Sequence, residues 1–110
     1  MKLLLLPGDG IGPEISDVVA MVLDRLESTF RLGLEVETGR VGLEGLKQDG
    51  LTVGDDTFAR STAVDGVILG PVDTATYPPP AEGGLNPSAE FRKRLDLYAN
   101  IRPSRTRPGV

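Results

Sequence analysis

The side chains best suited to chemistry in this 110-residue sequence are two arginines ten positions apart, Arg92 and Arg102. A guanidinium is planar, permanently charged and able to hold a carboxylate through two parallel hydrogen bonds. Arg92 falls in a helix-like stretch, and Arg102 ends a strand-like stretch that stops at Pro103. A helix–turn–strand corner bringing both to one place would suit a di- or tricarboxylate anion. Lys93 and Arg94 follow Arg92 directly, and successive helix positions diverge by about 100°, so they are assigned to the solvated surface.

The chain holds no cysteine and no histidine. That excludes disulfides, thiolate nucleophiles and cysteine-bound metal, together with the commonest general base and metal ligand. Chemistry here must run on carboxylates, lysine, arginine, tyrosine, hydroxyls and backbone. The net charge of −4 conceals an asymmetry: residues 1–91 carry six basic and fifteen acidic side chains, residues 92–110 six basic and one acidic. A basic end can mark a nucleic-acid partner. These basic residues sit inside a patterned helix and strand without interleaved aromatics for base stacking, so a small polyanion is expected and nucleic acid is not.

With 39% hydrophobic and 25% charged residues the composition is that of an ordinary soluble domain, long enough to bury a core without staples. No apolar run reaches membrane-spanning length. The opening KLLLLP is cut short by Gly8 and Asp9, too early for a secretory signal, so a cytoplasmic location without membrane contact is expected.

Strand and helix patterns alternate along the chain. Residues 3–6 form a continuous apolar run, as in a strand buried on both faces. Ile15, Val18, Val19, Val22, Leu23 and Leu26 then repeat at helical spacing, with Asp17, Asp24, Arg25 and Glu27 on the other face. Pro13 suits the first helical position, and Glu14 the positive end of the helix dipole. Leu34, Val36 and Thr38 alternate with Glu35 and Glu37, predicting a half-exposed strand. A weak helix is predicted over 42–48, before an Asp49-Gly50 turn. Asp55 or Asp56 can cap a helix to about residue 63, and residues 64–69 read as another buried strand.

Residues 70–84 form a long loop rich in proline and glycine, more often functional than idle in a small domain. Asn86-Pro87 signals a helix reaching about residue 96, and 98–101 is the last strand candidate. Strand–helix alternation of this kind predicts an α/β layer fold with a mostly parallel sheet flanked by helices.

The turn Gly8-Asp9-Gly10-Ile11-Gly12-Pro13-Glu14 invites comparison with the dinucleotide fingerprint, whose third glycine follows the second by three positions. Here Gly12 follows Gly10 by two, and Pro13 removes a helix-terminal amide that would hold phosphate. The match fails. Two readings remain: a tight turn with no ligand, or a loop flanking a cleft at the carboxyl ends of the strands.

The segment from Leu6 to Ile15 (LPGDGIGPEI) resembles the N-terminal signature of the β-decarboxylating dehydrogenases, the isocitrate/3-isopropylmalate dehydrogenase family. Asp65-Gly66-Val67-Ile68-Leu69-Gly70-Pro71 and the FRKRLDLYANIRP segment of residues 91–103 recur in the same order and at similar spacing. The resemblance covers essentially the whole chain. It implies the isopropylmalate-dehydrogenase-like fold and an enzyme that oxidises the 2-hydroxyl of a malate-type acid with NAD or NADP. The β-carboxyl is then lost as CO2 with the help of Mg2+ or Mn2+.

Residue by residue, Arg92 and Arg102 match two family arginines that hold substrate carboxylate. Ile11, Gly70, Asp73 and Thr74 match the region bordering the nicotinamide. The family reads its substrate just ahead of the first arginine. Isopropylmalate enzymes carry a leucine four residues before it, where this chain has Ser88, with Asn86 two residues earlier. Both are polar, which favours a polar γ-substituent such as that of isocitrate or homoisocitrate over 3-isopropylmalate. A tartrate- or malate-type substrate is an alternative, and one residue decides little, since apolar packing discriminates by only ~1–3 kcal/mol.

A complete family member is well over twice as long. Its third substrate arginine, catalytic tyrosine and lysine, metal-binding aspartates and adenine-binding loop have no counterpart here. Residues 1–110 are therefore expected to be the N-terminal portion of such a domain, because 107–110 resemble no natural ending. They are expected to be inactive alone, with no catalytic residue and no metal ligand of their own and with homodimerisation belonging to the full-length protein. The rival expectation is a stand-alone anion-binding module built on the same half-domain.

Overall fold

The computed structural model describes residues 1–107 and Gly109; Pro108 and Val110, in the closing segment 107–110, lie outside the described residues. The elements run β1 (Lys2–Leu6), α1 (Gly12–Phe30), β2 (Glu35–Thr38), α2 (Leu43–Asp49), α3 (Asp55–Thr62), β3 (Gly66–Leu69), a 3-10 turn at Pro80–Glu82 and α4 (Pro87–Arg94). The three strands form one parallel sheet in the order β2-β1-β3, with Leu3 opposite Val36 and Leu6 opposite Leu69. This is the α/β architecture the strand–helix alternation predicts.

β1 is central and covered on both sides, which is why its sequence is an unbroken run of leucines; Leu4, Leu5 and Leu6 are 0–3% exposed. Leu4 and Leu6 face a core of Val41, Val53 and Phe91, with Phe58, Val67 and Leu69 packed around it. α3 meets α4 through Phe58 and Phe91, whose rings stack 6.5 Å apart at 20°. The connection from β1 to β2 and that from β2 to β3 run in opposite directions across the sheet. Right-handed crossovers therefore put α1 on one face and α2 and α3 on the other. Ala20, Leu23 and Glu27 of α1 accordingly lie against Leu34 and Val36.

Several expectations change. On α1 the sheet-facing positions are Ser16, Val19, Ala20, Leu23 and Glu27, while Ile15, Val18, Val22 and Leu26 stay 36–53% exposed. The apolar stripe is wider than a three-stranded sheet can cover. Glu27, assigned to the polar face, is half-buried because its Oε2 accepts the Leu34 amide at 2.7 Å. β2 is exposed along its whole length, as an edge strand with one neighbour.

The N-cap of α3 is Gly54, with no side-chain cap; Asp55 and Asp56 lie in the first turn, where their charge complements the helix dipole. α4 stops at Arg94, short of residue 96, because Asp96 turns left-handed (φ 49°) and the Leu97 amide bonds back to the Arg92 carbonyl at 3.1 Å. The strand expected at 98–101 does not form. Tyr98 is fully exposed and Ile101 is 83% exposed, and a strand pattern yields a strand only where a sheet edge and a covering layer receive it.

Candidate functional site

Because β1 and β3 are parallel and Leu6 stands opposite Leu69, their exit ends lie side by side, where ligands of open α/β sheets collect. The loops leaving them cross in direct backbone contact. A Cβ on Gly8 (φ 80°) would come within 2.0 Å of the Pro71 carbonyl oxygen, and one on Gly70 within 1.9 Å of the Pro7 carbonyl oxygen. These glycines serve the crossing of one loop over another and leave no cradle for phosphate. The turn is tight and stands at the carboxyl ends of β1 and β3.

Asp9 organises this crossing. It is 7% exposed. Its Oδ1 accepts the Leu43 amide at 2.7 Å, and its Oδ2 accepts the Asp73 amide at 2.9 Å and the Tyr77 hydroxyl. Its own amide donates to the Pro71 carbonyl at 2.7 Å, and its carbonyl accepts the Gly12 amide at 2.8 Å. Gly42 (φ 72°) makes room, since a Cβ there would sit 2.3 Å from Oδ1. One carboxylate thus joins the β1–α1 turn, the start of α2 and the 70–84 loop. Burial, and then the hydrogen bond to Asp9, push the Tyr77 phenol above its ordinary ionisation range.

The far end of the loop is held by Thr52, which is fully buried. Its hydroxyl donates to the Leu85 carbonyl at 2.6 Å and accepts the Leu85 amide at 2.8 Å, while its amide donates to the Gly83 carbonyl at 3.0 Å. A loop of this length is therefore fixed at both ends. Sequence reading passed over Asp9, Tyr77 and Thr52. The available signal for Asp9 was an acid set between glycines directly after a buried strand, a position that few unpaired carboxylates can occupy.

Of the residues singled out in the sequence, Ile11, Gly70, Asp73 and Thr74 belong to the two crossing loops. Ile11 is 65% exposed at the N-cap of α1, and Asp73 and Thr74 are exposed in a turn closed by the Asp73 carbonyl, which accepts from the Thr76 amide at 3.1 Å and hydroxyl at 2.9 Å. Gly70 is half-buried, its amide bonded to the Leu6 carbonyl at 2.8 Å.

Ser88 and Arg92 lie one turn apart on α4 and line a cavity of about 550 Å³ with Gly66, Val67, Leu69 and Phe91. Arg92 is exposed and its Nε donates to the Ser88 carbonyl at 3.0 Å, which leaves its terminal nitrogens for an anion. Arg102 is exposed beyond α4 and does not line that cavity. Asn86 spends its side-chain oxygen on the cap of α4, accepting the Ala89 amide at 3.1 Å, and keeps its amide nitrogen for another partner. Lys93 is exposed as expected. Arg94 is not simply solvated: its guanidinium lies 3.7 Å from the centre of the Phe58 ring and 3.5 Å from Asp55.

Among the described residues no three carboxylates gather to hold a metal ion, and no helix is long and apolar enough to cross a membrane. The residues present therefore do not fit a metal site. For a nicotinamide they offer a fixed loop with exposed hydroxyls.

Comparison with known proteins places this geometry. Residues 2–110 match the family described as isocitrate/isopropylmalate dehydrogenase. A 3-isopropylmalate dehydrogenase of Brucella melitensis biotype 1 is 40% identical over 99% of this chain and 30% of its own length. One of Rhodospirillum rubrum is 40% identical over 94% of this chain and 29% of its own. Among solved structures, the apo form of a β-decarboxylating dehydrogenase from Thermococcus kodakarensis superposes with a TM-score of 0.70 at 28% identity, covering 88% of this chain and 27% of that one. The chain thus spans about 30% of the length of the curated relatives it matches.

Proposed function

Because the chain belongs to the isocitrate/isopropylmalate dehydrogenase family, we propose that it forms part of an enzyme that oxidises a malate-type 2-hydroxy acid with NAD or NADP and releases its β-carboxyl as CO2. The observation that carries this reading is the pairing of Ser88 with Arg92 on one turn of α4, lining a cavity along β3. With Nε held by the Ser88 carbonyl, the Arg92 guanidinium is oriented to grip one substrate carboxylate through its terminal nitrogens. Arg102 stands outside that cavity, and its role as a second grip rests on the family resemblance alone. Ile11, Gly70, Asp73 and Thr74 border the nicotinamide, which when bound takes the hydride. Among the described residues no carboxylate cluster would hold Mg2+ or Mn2+, so the ligands of such an ion would come from the rest of the enzyme. The full-length protein is taken to be a homodimer.

Ser88 favours a substrate with a polar γ-substituent, such as isocitrate or homoisocitrate. The name carried by the relatives, 3-isopropylmalate dehydrogenase, supports the second reading, an apolar one. Both are tested by following NADH and NADPH formation by the full-length protein with isocitrate, homoisocitrate, 3-isopropylmalate and tartrate in parallel. Turnover of one of them is expected, with kcat/KM lowered at least about tenfold by Arg92→Ala or Arg102→Ala, as for loss of a charged hydrogen bond. No turnover of any of the four overturns the assignment. A preference of orders of magnitude for 3-isopropylmalate overturns the polar-substituent reading alone.

A further inference from the structure

We propose that Asp9 is a positioning residue for the cofactor, fixing the 72–77 stretch of the long loop against the sheet so that Asp73 and Thr74 are presented to the nicotinamide in one conformation. The proposal rests on the reading that this loop borders the cofactor. Its physical basis is independent of that reading. Residues 73–76 are exposed, their turn is closed by its own Asp73–Thr76 hydrogen bonds, and the bonds from the Asp73 amide and the Tyr77 hydroxyl to Asp9 Oδ2 join it on either side to the β1–α1 turn. The same carboxylate is anchored from behind by the Leu43 amide on Oδ1. The carboxylate also cannot shift toward α2, because Gly42 already lies against it.

An ordered loop binds a ligand without first losing conformational freedom, so releasing the tether should weaken the ligand that the loop contacts and spare one held elsewhere. Asparagine at position 9 keeps one acceptor oxygen for two backbone amides, and its NH2 group would meet one of those amides donor to donor. Tyr77→Phe removes only the hydroxyl bond and keeps the ring in place.

The test uses the full-length chain as Asp9→Asn and Tyr77→Phe, with KM for the nucleotide, KM for the hydroxy acid, kcat, melting temperature and amide hydrogen exchange at residues 73–76. Expected are a nucleotide KM raised at least about tenfold in Asp9→Asn and less in Tyr77→Phe, and a hydroxy-acid KM within about twofold of the parent. Exchange at residues 73–76 should speed up in both. A general structural role would instead lower the melting temperature and the active fraction with both KM values unchanged, and that result overturns the proposal. If Asp9→Asn fails to fold, Tyr77→Phe with unchanged nucleotide KM and unchanged exchange overturns it. If the parent protein turns over no substrate, the dehydrogenase reading falls by itself, and unaltered exchange at residues 73–76 then overturns the tether.

Discussion

At the scale of single residues, a buried carboxylate does what composition alone would not assign to it. Asp9 receives two backbone amides and a phenol, enough to satisfy a charge away from water. Its partner Tyr77 gives a dependence on pH with a definite sign. The folded state holds the Tyr77 proton more tightly than the unfolded chain, whose phenol ionises at about 10, so this contribution to stability is complete below pH 10 and is lost as pH rises beyond it. Urea midpoints measured from pH 8 to 11 should fall above pH 10 in the parent and fall less steeply in Tyr77→Phe. Parallel curves would refute the assignment. None of this was legible in the sequence, where Asp9 and Tyr77 are 68 positions apart. The arginines were legible as anion-binding candidates because a guanidinium advertises its chemistry wherever it stands.

At the scale of elements, α3 and α4 illustrate how a residue type misleads. Arg94 shares its charge and neighbourhood with Lys93, yet the helix turns it onto Phe58, whose ring in turn stacks on Phe91. A flat guanidinium over an aromatic face contributes about 0.5–1 kcal/mol at a partly exposed site. Arg94→Ala should therefore lower unfolding free energy by about that amount in denaturant titrations, and Lys93→Ala should leave it unchanged within error. Equal effects of the two would show that the stacking contributes nothing. The four α-helices among the described residues were legible because periodicity marks α1 and proline, glycine or acidic residues mark the starts of the others. Strand reading failed at residues 98–101, since a strand is defined by its neighbours and a local pattern says nothing about whether a neighbour is there.

At the scale of the whole molecule, the widest discrepancy is the uncovered side of α1. Ile15, Val18, Val22 and Leu26 lie three or four residues apart and form an exposed apolar stripe about three turns long. The 110-residue chain produced by itself should therefore associate as its concentration rises in sedimentation runs, and Val18→Asp with Val22→Asp should hold it monomeric. A parent chain that stays monomeric at high concentration would show that the stripe is tolerated in water. The same preparation should form no NADH with any of the hydroxy acids, because two arginines position an anion without supplying a proton acceptor.

The sequence by itself determined the parallel α/β layering, the central buried strand and the helix starts, because periodicity, proline and glycine act over a few neighbouring residues; the family was carried separately, by three motifs in order. Tertiary structure alone decided that Asp9 joins three segments, that Thr52 fixes the far end of the long loop, that Arg94 is occupied, and that only Val19 and Leu23 of the α1 stripe are covered. The physical reason is the same in each case. Burial and hydrogen bonding depend on which distant segments the sheet brings within about 3 Å of one another, and that distance is set by strand order and crossover handedness.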